Sequence, residues 1–243
     1  LPESTRNRLQ DMFEAYIQAS VRQRKPGEGE AQYEQLISYC LKYDGKQNLV
    51  NDLIENYTIS EDQKTYTFKI KRNALWHDNA PLTVDDVIFT IKSIQDPQFP
   101  NLLLQQNFRG VSVTKVDDRT VRFTLDAPYS FFPSNLTIGL LPARSFEGIP
   151  VSKLDQHLDF GFNPVGAGPY RVKSASQTDL SSEITLERFK RPLEPIYRLD
   201  RIVFRIFADY STMLSDLRNL QGVRLVPRTS EGVPLIPKRF QAR

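Results

Sequence analysis

Cysteine is almost absent from this chain: Cys40 is the only one among 243 residues. An internal disulfide is thereby excluded, and so is any zinc or iron–sulfur site that needs several thiolates. Histidine is nearly as scarce, with His77 and His157 alone, which leaves little material for metal or acid–base chemistry. Neither a cofactor nor a metal is expected. No apolar run approaches the ~18 residues a helical membrane span needs. No charged-then-apolar leader is present, so an export signal or anchor is expected to be missing from this chain or already removed. Charge of one sign is not in excess either, since 32 Lys and Arg face 29 Asp and Glu. Residues 218–243 hold six basic side chains (Arg218, Arg224, Arg228, Lys238, Arg239, Arg243) and one acid, Glu231. That tail carries +5, leaving 26 basic against 28 acidic residues in 1–217. The basic field that nucleic-acid binders use is lacking, and nucleic acid is not an expected partner.

What remains is an ordinary globular composition, 40% hydrophobic and 25% charged, long enough for one to two domains. Leu9, Met12, Phe13, Tyr16, Ile17 and Val21 recur at three- and four-residue spacings, predicting a helix over 6–24. A second helix is expected over 31–41, with Tyr33, Leu36, Ile37 and Cys40 on one side, followed by a turn at 43–46. Alternation of Tyr66, Phe68 and Ile70 predicts a strand over 65–71. After an irregular connection, Thr83 fits the N-cap of a helix reaching about Ile94, with Asp85 and Asp86 in its positive first turn. Asp96-Pro97 ends that helix, because a residue before proline avoids the α region. Strands at 111–116 and 120–125 flank Asp117-Asp118-Arg119 and predict a hairpin. Residues 128–142, with Tyr129, Phe131 and Phe132, are expected to pack under the sheet. Further strands are expected at 170–173, 184–189 and 201–207, with a short helix at 211–220. The fold class is α+β, with mixed sheets and flanking helices.

The search for chemistry is unproductive. His77-Asp78 lacks partner ligands at metal-binding spacing, and reads as a turn in which Asp78 caps local amides. His157 reads as a solvated surface residue and Cys40 as a buried, inert thiol. Gly166-Ala167-Gly168 lacks the third glycine of a phosphate loop, Pro169 removes a backbone donor, and a strand follows where a helix would be needed. Asp85 and Asp86 read as partners of a helix N-terminus. No nucleophile–base pair supports a hydrolase, and no enzyme activity is expected.

Several blocks together resemble the family 5 extracellular solute-binding proteins, receptors of ABC importers for peptides, nickel and some sugars. The strongest runs from Leu53-Ile54-Glu55-Asn56-Tyr57 through Ser60–Phe68 and Trp76-His77-Asp78-Asn79-Ala80-Pro81-Leu82-Thr83 to Asp85-Asp86-Val87-Ile88-Phe89-Thr90. Gln63 and Asn79 stand where the family pattern has glycine, and both residue types tolerate turns, Asn especially at positive φ. Val116 to Leu125, Asn163-Pro164-Val165-Gly166-Ala167-Gly168-Pro169-Tyr170 and Leu199 to Ile206 match further blocks in order, and Tyr33-Glu34-Gln35-Leu36 matches weakly.

The resemblance implies a periplasmic-binding-protein-like lobe (class II, cluster C) over 33–220, with an inserted subdomain at 49–159 and a hinge-proximal sheet at 160–220. Residues 1–32 form a helical segment atypical of the family, and 221–243 a basic irregular tail. The family's second lobe is missing here and is expected in the full-length protein. An oligopeptide or other small solute is the implied ligand, held between two lobes outside the cytoplasmic membrane and delivered to a membrane permease. An interaction module that keeps the fold without transport is the alternative. The resemblance places the ligand-facing surface beside Tyr33, Gly166, Ala167, Gly168 and Tyr170. Small residues let a ligand backbone approach, and a tyrosine offers a ring with a polar tip. The alternative is that both glycines serve only a tight turn into the following strand.

Overall fold

The computed structural model describes residues 40–44, 46–99, 101–156, 164–177, 181–189, 199–207 and 211–212. The helix expected over 6–24, most of that over 31–41, the 221–243 tail and most of the 211–220 helix lie outside these residues. Where the second helix was expected to end, the chain is instead extended. Cys40 sits in a bend, and β1 (Leu41–Tyr43) pairs antiparallel with β2 (Leu49–Asn51). The turn expected around Asp44 joins them: its carboxylate accepts from the backbone N–H groups of Lys46 and Asn48, both at 2.8 Å. The Asn48 bonds in particular hold the Asp44 carboxyl below its usual range.

Four antiparallel strands form the main sheet: β3 (Ile54–Ile59), β4 (Thr65–Ile70), β5 (Val111–Asp117) and β6 (Thr120–Leu125). Their order is β3-β4-β6-β5, so the expected hairpin of the last two strands is present and β4 lies beside β6. Register decides which side is dry. Tyr66 pairs with Phe123 and Phe68 with Val121, so the apolar sets of both central strands point the same way. Thr67 opposite Arg122 occupies the other, solvated face. The rings interlock on the dry side, with Phe68 edge-on to Phe123 at 5.7 Å and Phe132 against Tyr66 at 5.0 Å and Phe123 at 5.4 Å.

Helix α1 (Val84–Gln95) covers that side and packs on β5 and β6 through Val84, Val87, Ile91 and Ile94, all buried. These positions follow the helical repeat, and each large side chain so buried contributes about 1.5–3 kcal/mol relative to exposure. Thr83 is the N-cap and Asp96 the C-cap, as the sequence predicts. Thr90 is a buried polar exception satisfied within the core: its hydroxyl donates to Asp86 O and accepts from Leu141 N. Helices α2 (Leu102–Asn107) and α3 (Phe132–Asn135) are short, and 3₁₀ turns occupy Ala143–Phe146 and Val151–Gln156.

Two corrections arise under the sheet. Phe132, Leu136, Ile138, Leu140 and Leu141 are buried as expected of 128–142, but Phe131 is 71% exposed and Tyr129 46%. Aromatic character alone did not say which side of that segment faces inward. Gly110 turns one corner at φ +71°, a conformation that favours glycine, and a Cβ there would meet the Asp126 carboxylate, with Oδ2 at 2.5 Å. Gln63 and Asn79 also hold positive φ, 55° and 66°, at the two positions where the family pattern carries glycine.

A separate three-stranded sheet has the order β7 (Tyr170–Gln177), β8 (Ser181–Arg188) and β9 (Arg201–Phe207). The chain divides into two compact units, Leu1–Ala175 with Ile184–Phe204 and Ser176–Glu183 with Arg205–Arg243. Within the second, Arg205 donates to Glu183 Oε2 from Nε at 3.2 Å and Nη2 at 2.8 Å.

Candidate functional site

The glycine–proline loop singled out by the sequence lies against the connection between β4 and α1. That connection is pinned at its start by Trp76, which is 1% exposed and donates its indole N–H to Asp86 Oδ2 at 3.1 Å. The same oxygen accepts from Thr83 N at 2.9 Å, and Oδ1 accepts from Ala143 N at 2.8 Å. Asp86 therefore ties the helix start, the tryptophan and the 142–143 segment together, besides complementing the helix N-terminus. Asp85, on the exposed side, pairs with Lys115.

Past Trp76 the chain turns. Asp78 Oδ1 accepts from Ala80 N at 3.1 Å, the local capping expected of it, and Oδ2 pairs with Arg144. Burial opposes ionisation of Asp78, but the Arg144 hydrogen bond and the Ala80 N–H outweigh it and hold the carboxyl below its ordinary range. Arg144 also lies over the Trp76 ring at 5.8 Å.

His77 is where the loop arrives. Its backbone N–H donates to Gly166 O at 2.8 Å, and Gly166 N–H donates back to the ring Nδ1 at 3.1 Å. Nδ1 is then the unprotonated nitrogen, so Nε2 carries the hydrogen and donates to Gly168 O at 3.0 Å. His77 is 5% exposed, and the ring of Phe189 meets it edge-on at 5.1 Å. Arg171 closes the outside, donating to His77 O at 3.4 Å, pairing with Glu187 and lying 5.8 Å over Phe189.

Of the sequence-predicted site residues, Gly166, Ala167, Gly168 and Tyr170 are brought together here, and Tyr33 lies outside the described residues, as does His157. All four are buried, Ala167 at 2% and Tyr170 at 3% exposure. The Tyr170 hydroxyl donates to Leu199 O at 2.8 Å, and burial pushes its phenol above the usual range. Half-buried Pro164, Val165 and Pro169 form the loop's more accessible surface. Sequence reasoning missed His77 as the loop's partner, and also Arg144 and Arg171. The only local signal was a histidine and an acid side by side in a turn. The buried titratable groups at this locus, His77, Asp86 and Tyr170, are all engaged in hydrogen bonds within the protein, an arrangement that holds shape. Cys40 is buried, which together with the charge of Asp52 pushes its thiol up to about 12. Among the described residues no group of three or more His, Cys, Asp or Glu could hold a metal ion.

A strand-rich α+β unit of this topology has the architecture of a periplasmic-binding-protein lobe. The chain belongs to the bacterial extracellular solute-binding proteins, family 5, whose sequence model (described as "family 5 Middle") matches residues 48–232. It is 31% identical over 179 residues to a Brucella ovis protein named as an ABC transporter peptide-binding protein, covering 73% of this chain and 33% of that one. It is 30% identical over 199 residues to the glutathione-binding protein GsiB of Pectobacterium atrosepticum, covering 81% and 37%. Among solved structures it is similar to NikZ from Campylobacter jejuni in complex with Ni(L-His). There the TM-score is 0.65 with 26% identity, over 83% of this chain and 39% of that one. The chain spans about a third of the length of the curated relatives it matches.

Proposed function

We propose that this chain is part of the solute receptor of an ABC importer and that its ligand is an oligopeptide. The observation that carries the reading is the family match over residues 48–232, beside relatives whose names specify peptide and glutathione binding. In this reading the protein works outside the cytoplasmic membrane, hands its ligand to a membrane permease, and catalyses nothing. No helix among the described residues is long and apolar enough to cross a membrane. An extended peptide offers backbone groups that pair with a receptor irrespective of side chain, and hinge closure between lobes then excludes water. The segment of 164–170 is the wall of the ligand site within this chain. Gly166, Ala167, Gly168 and Tyr170 set the wall's shape from its buried side.

The test is calorimetry and thermal shift on the full chain with a di- to pentapeptide library, glutathione and Ni(L-His) as separate titrants. Saturable binding and a raised melting temperature with one or more peptides are expected. Stabilisation by Ni(L-His) alone would replace the ligand class, and stabilisation by none of them would overturn the reading. Gly168→Val probes the wall: peptide affinity falls while the protein stays folded, and unchanged affinity in a folded variant removes the loop from the site.

A further inference from the structure

We propose that His77, as the neutral tautomer with its hydrogen on Nε2, is a positioning residue that sets the conformation of the 164–170 loop, and through it ligand affinity. The loop has few means of holding itself. Pro164 and Pro169 have no N–H, and Gly166 and Gly168 have no side chain with which to anchor or cap. His77 supplies that anchoring from 89 residues away in sequence. The ring Nδ1 accepts from Gly166 N at 3.1 Å and Nε2–H donates to Gly168 O at 3.0 Å. With the backbone bond from His77 N to Gly166 O at 2.8 Å, three contacts fix two glycines from one residue. The two ring nitrogens face opposite demands, a donor on one side and an acceptor on the other. Only one protonation state, the neutral ring, and only one of its tautomers satisfies both. Phe189 against the ring edge and its own N–H on Pro169 O at 2.8 Å hold the assembly from the β8 side. A plain packing role would ask only for a ring of this size; the clamp asks for an acceptor and a donor at two defined places.

The effect on affinity rests on the proposed peptide-receptor reading; the effect on the loop does not, and the two are measured separately. In wild-type full chain, nitrogen-15 NMR of the imidazole is expected to report an unprotonated Nδ1 and a protonated Nε2 at neutral pH. A protonated Nδ1 overturns the clamp whether or not any variant folds. Asparagine keeps an acceptor near the Nδ1 position and glutamine a donor near Nε2, so the two substitutions divide the clamp. In His77→Gln the Gly166 amide exchanges about tenfold faster or more, whereas in His77→Asn it stays protected. His77→Phe keeps a ring and loses both bonds. It and His77→Gln are expected to weaken binding of the peptide library about tenfold or more. Equal Gly166 exchange in wild type and His77→Gln overturns the loop role. Wild-type peptide affinity in folded His77→Phe overturns the link to binding. If wild type binds no peptide, the receptor reading fails alone, and exchange together with the tautomer still decides what His77 does.

Discussion

Replacing Asp86 by alanine is expected to remove about 3–5 kcal/mol of folding stability, a large share of the ~5–15 kcal/mol typical of a domain. The size follows from what the carboxylate holds. Trp76 is 1% exposed, so its indole N–H loses the Asp86 bond in a place where no solvent replaces it, at about 1–3 kcal/mol. Thr83 N and Ala143 N sit in partly buried positions where water can substitute, and losing the carboxylate costs about 0.5–1.5 kcal/mol at each. Asp86→Asn is the intermediate case, because its amide keeps one acceptor and presents a donor to an N–H group. Trp76→Phe removes the indole donor and part of the ring volume but keeps an aromatic ring, so it costs less than Trp76→Ala, which loses the packing as well and is expected to cost about 3–5 kcal/mol. Urea titrations followed by far-ultraviolet circular dichroism measure each variant, with the m-value checked for constancy. The double variant Trp76→Phe with Asp86→Ala should show a coupling of about 1 kcal/mol or more. An Asp86→Ala cost below about 1 kcal/mol, or strict additivity with Trp76→Phe, would refute the assignment of Asp86 as the joint. Unchanged melting of Trp76→Ala with lost peptide binding would make the tryptophan a ligand platform instead.

Cys40, its pKa raised to about 12, should resist iodoacetamide at pH 8 in the folded protein and react promptly in urea. The same shift puts the thiolate in the unfolded state first, so this group erodes stability as pH rises past the ordinary thiol range. Asp78, depressed by Arg144 and Ala80 against the pull of burial, contributes stability above about pH 4 that is lost as acid protonates it. Asp78→Asn should therefore show a shallower loss of melting temperature below that pH than wild type. Gln63→Gly should stabilise by up to about 1 kcal/mol, because relief of its 55° φ exceeds the entropy glycine adds to the unfolded chain. Neutral or negative change in the urea midpoint would count against strain there. Phe132→Ala should cost about 3–5 kcal/mol and Phe131→Ala less than about 0.5, and similar values for the two would contradict their opposite exposures.

Legibility followed the regularity of the pattern. The segment Thr65–Ile70 alternates without a fault and was readable as a strand with its buried face; Thr120–Leu125 was readable to the residue. The neighbouring Ile54–Ile59 was not, because a register shift between Ile54 and Asn56 breaks the period of two. Leu41–Tyr43 and Leu49–Asn51 are too short to establish any period, and the first fell at the end of a helical pattern. Caps were visible because they act within a turn of their own position, as Thr83 and Asp96 do. The surroundings of the candidate site were hidden for the converse reason. Gly166 and Gly168 stood out by composition, yet their partner is 89 and 91 residues away, and no local spacing encodes that meeting. Arg144 on Asp78, 66 positions apart, was hidden in the same way.

The strand order β3-β4-β6-β5 also constrains when the sheet can assemble. Each outer pair is a local hairpin, β3 with β4 and β5 with β6, able to close over a few residues within microseconds. The middle seam, Tyr66 against Phe123 and Phe68 against Val121, joins segments more than fifty positions apart, with α1 in the intervening chain. Closing it is entropically slower and yields the main apolar layer only once both hairpins and the helix are in place. The seam is thus the kinetic bottleneck expected of this unit. Substitutions there should slow refolding, while those at the outer edges of β3 and β5 should mainly hasten unfolding. A nascent chain would hold the β3–β4 ribbon, with Tyr66 and Phe68 on an uncovered strand, until the β5–β6 hairpin has emerged. That interval is when this protein is most exposed to pairing with the wrong neighbour.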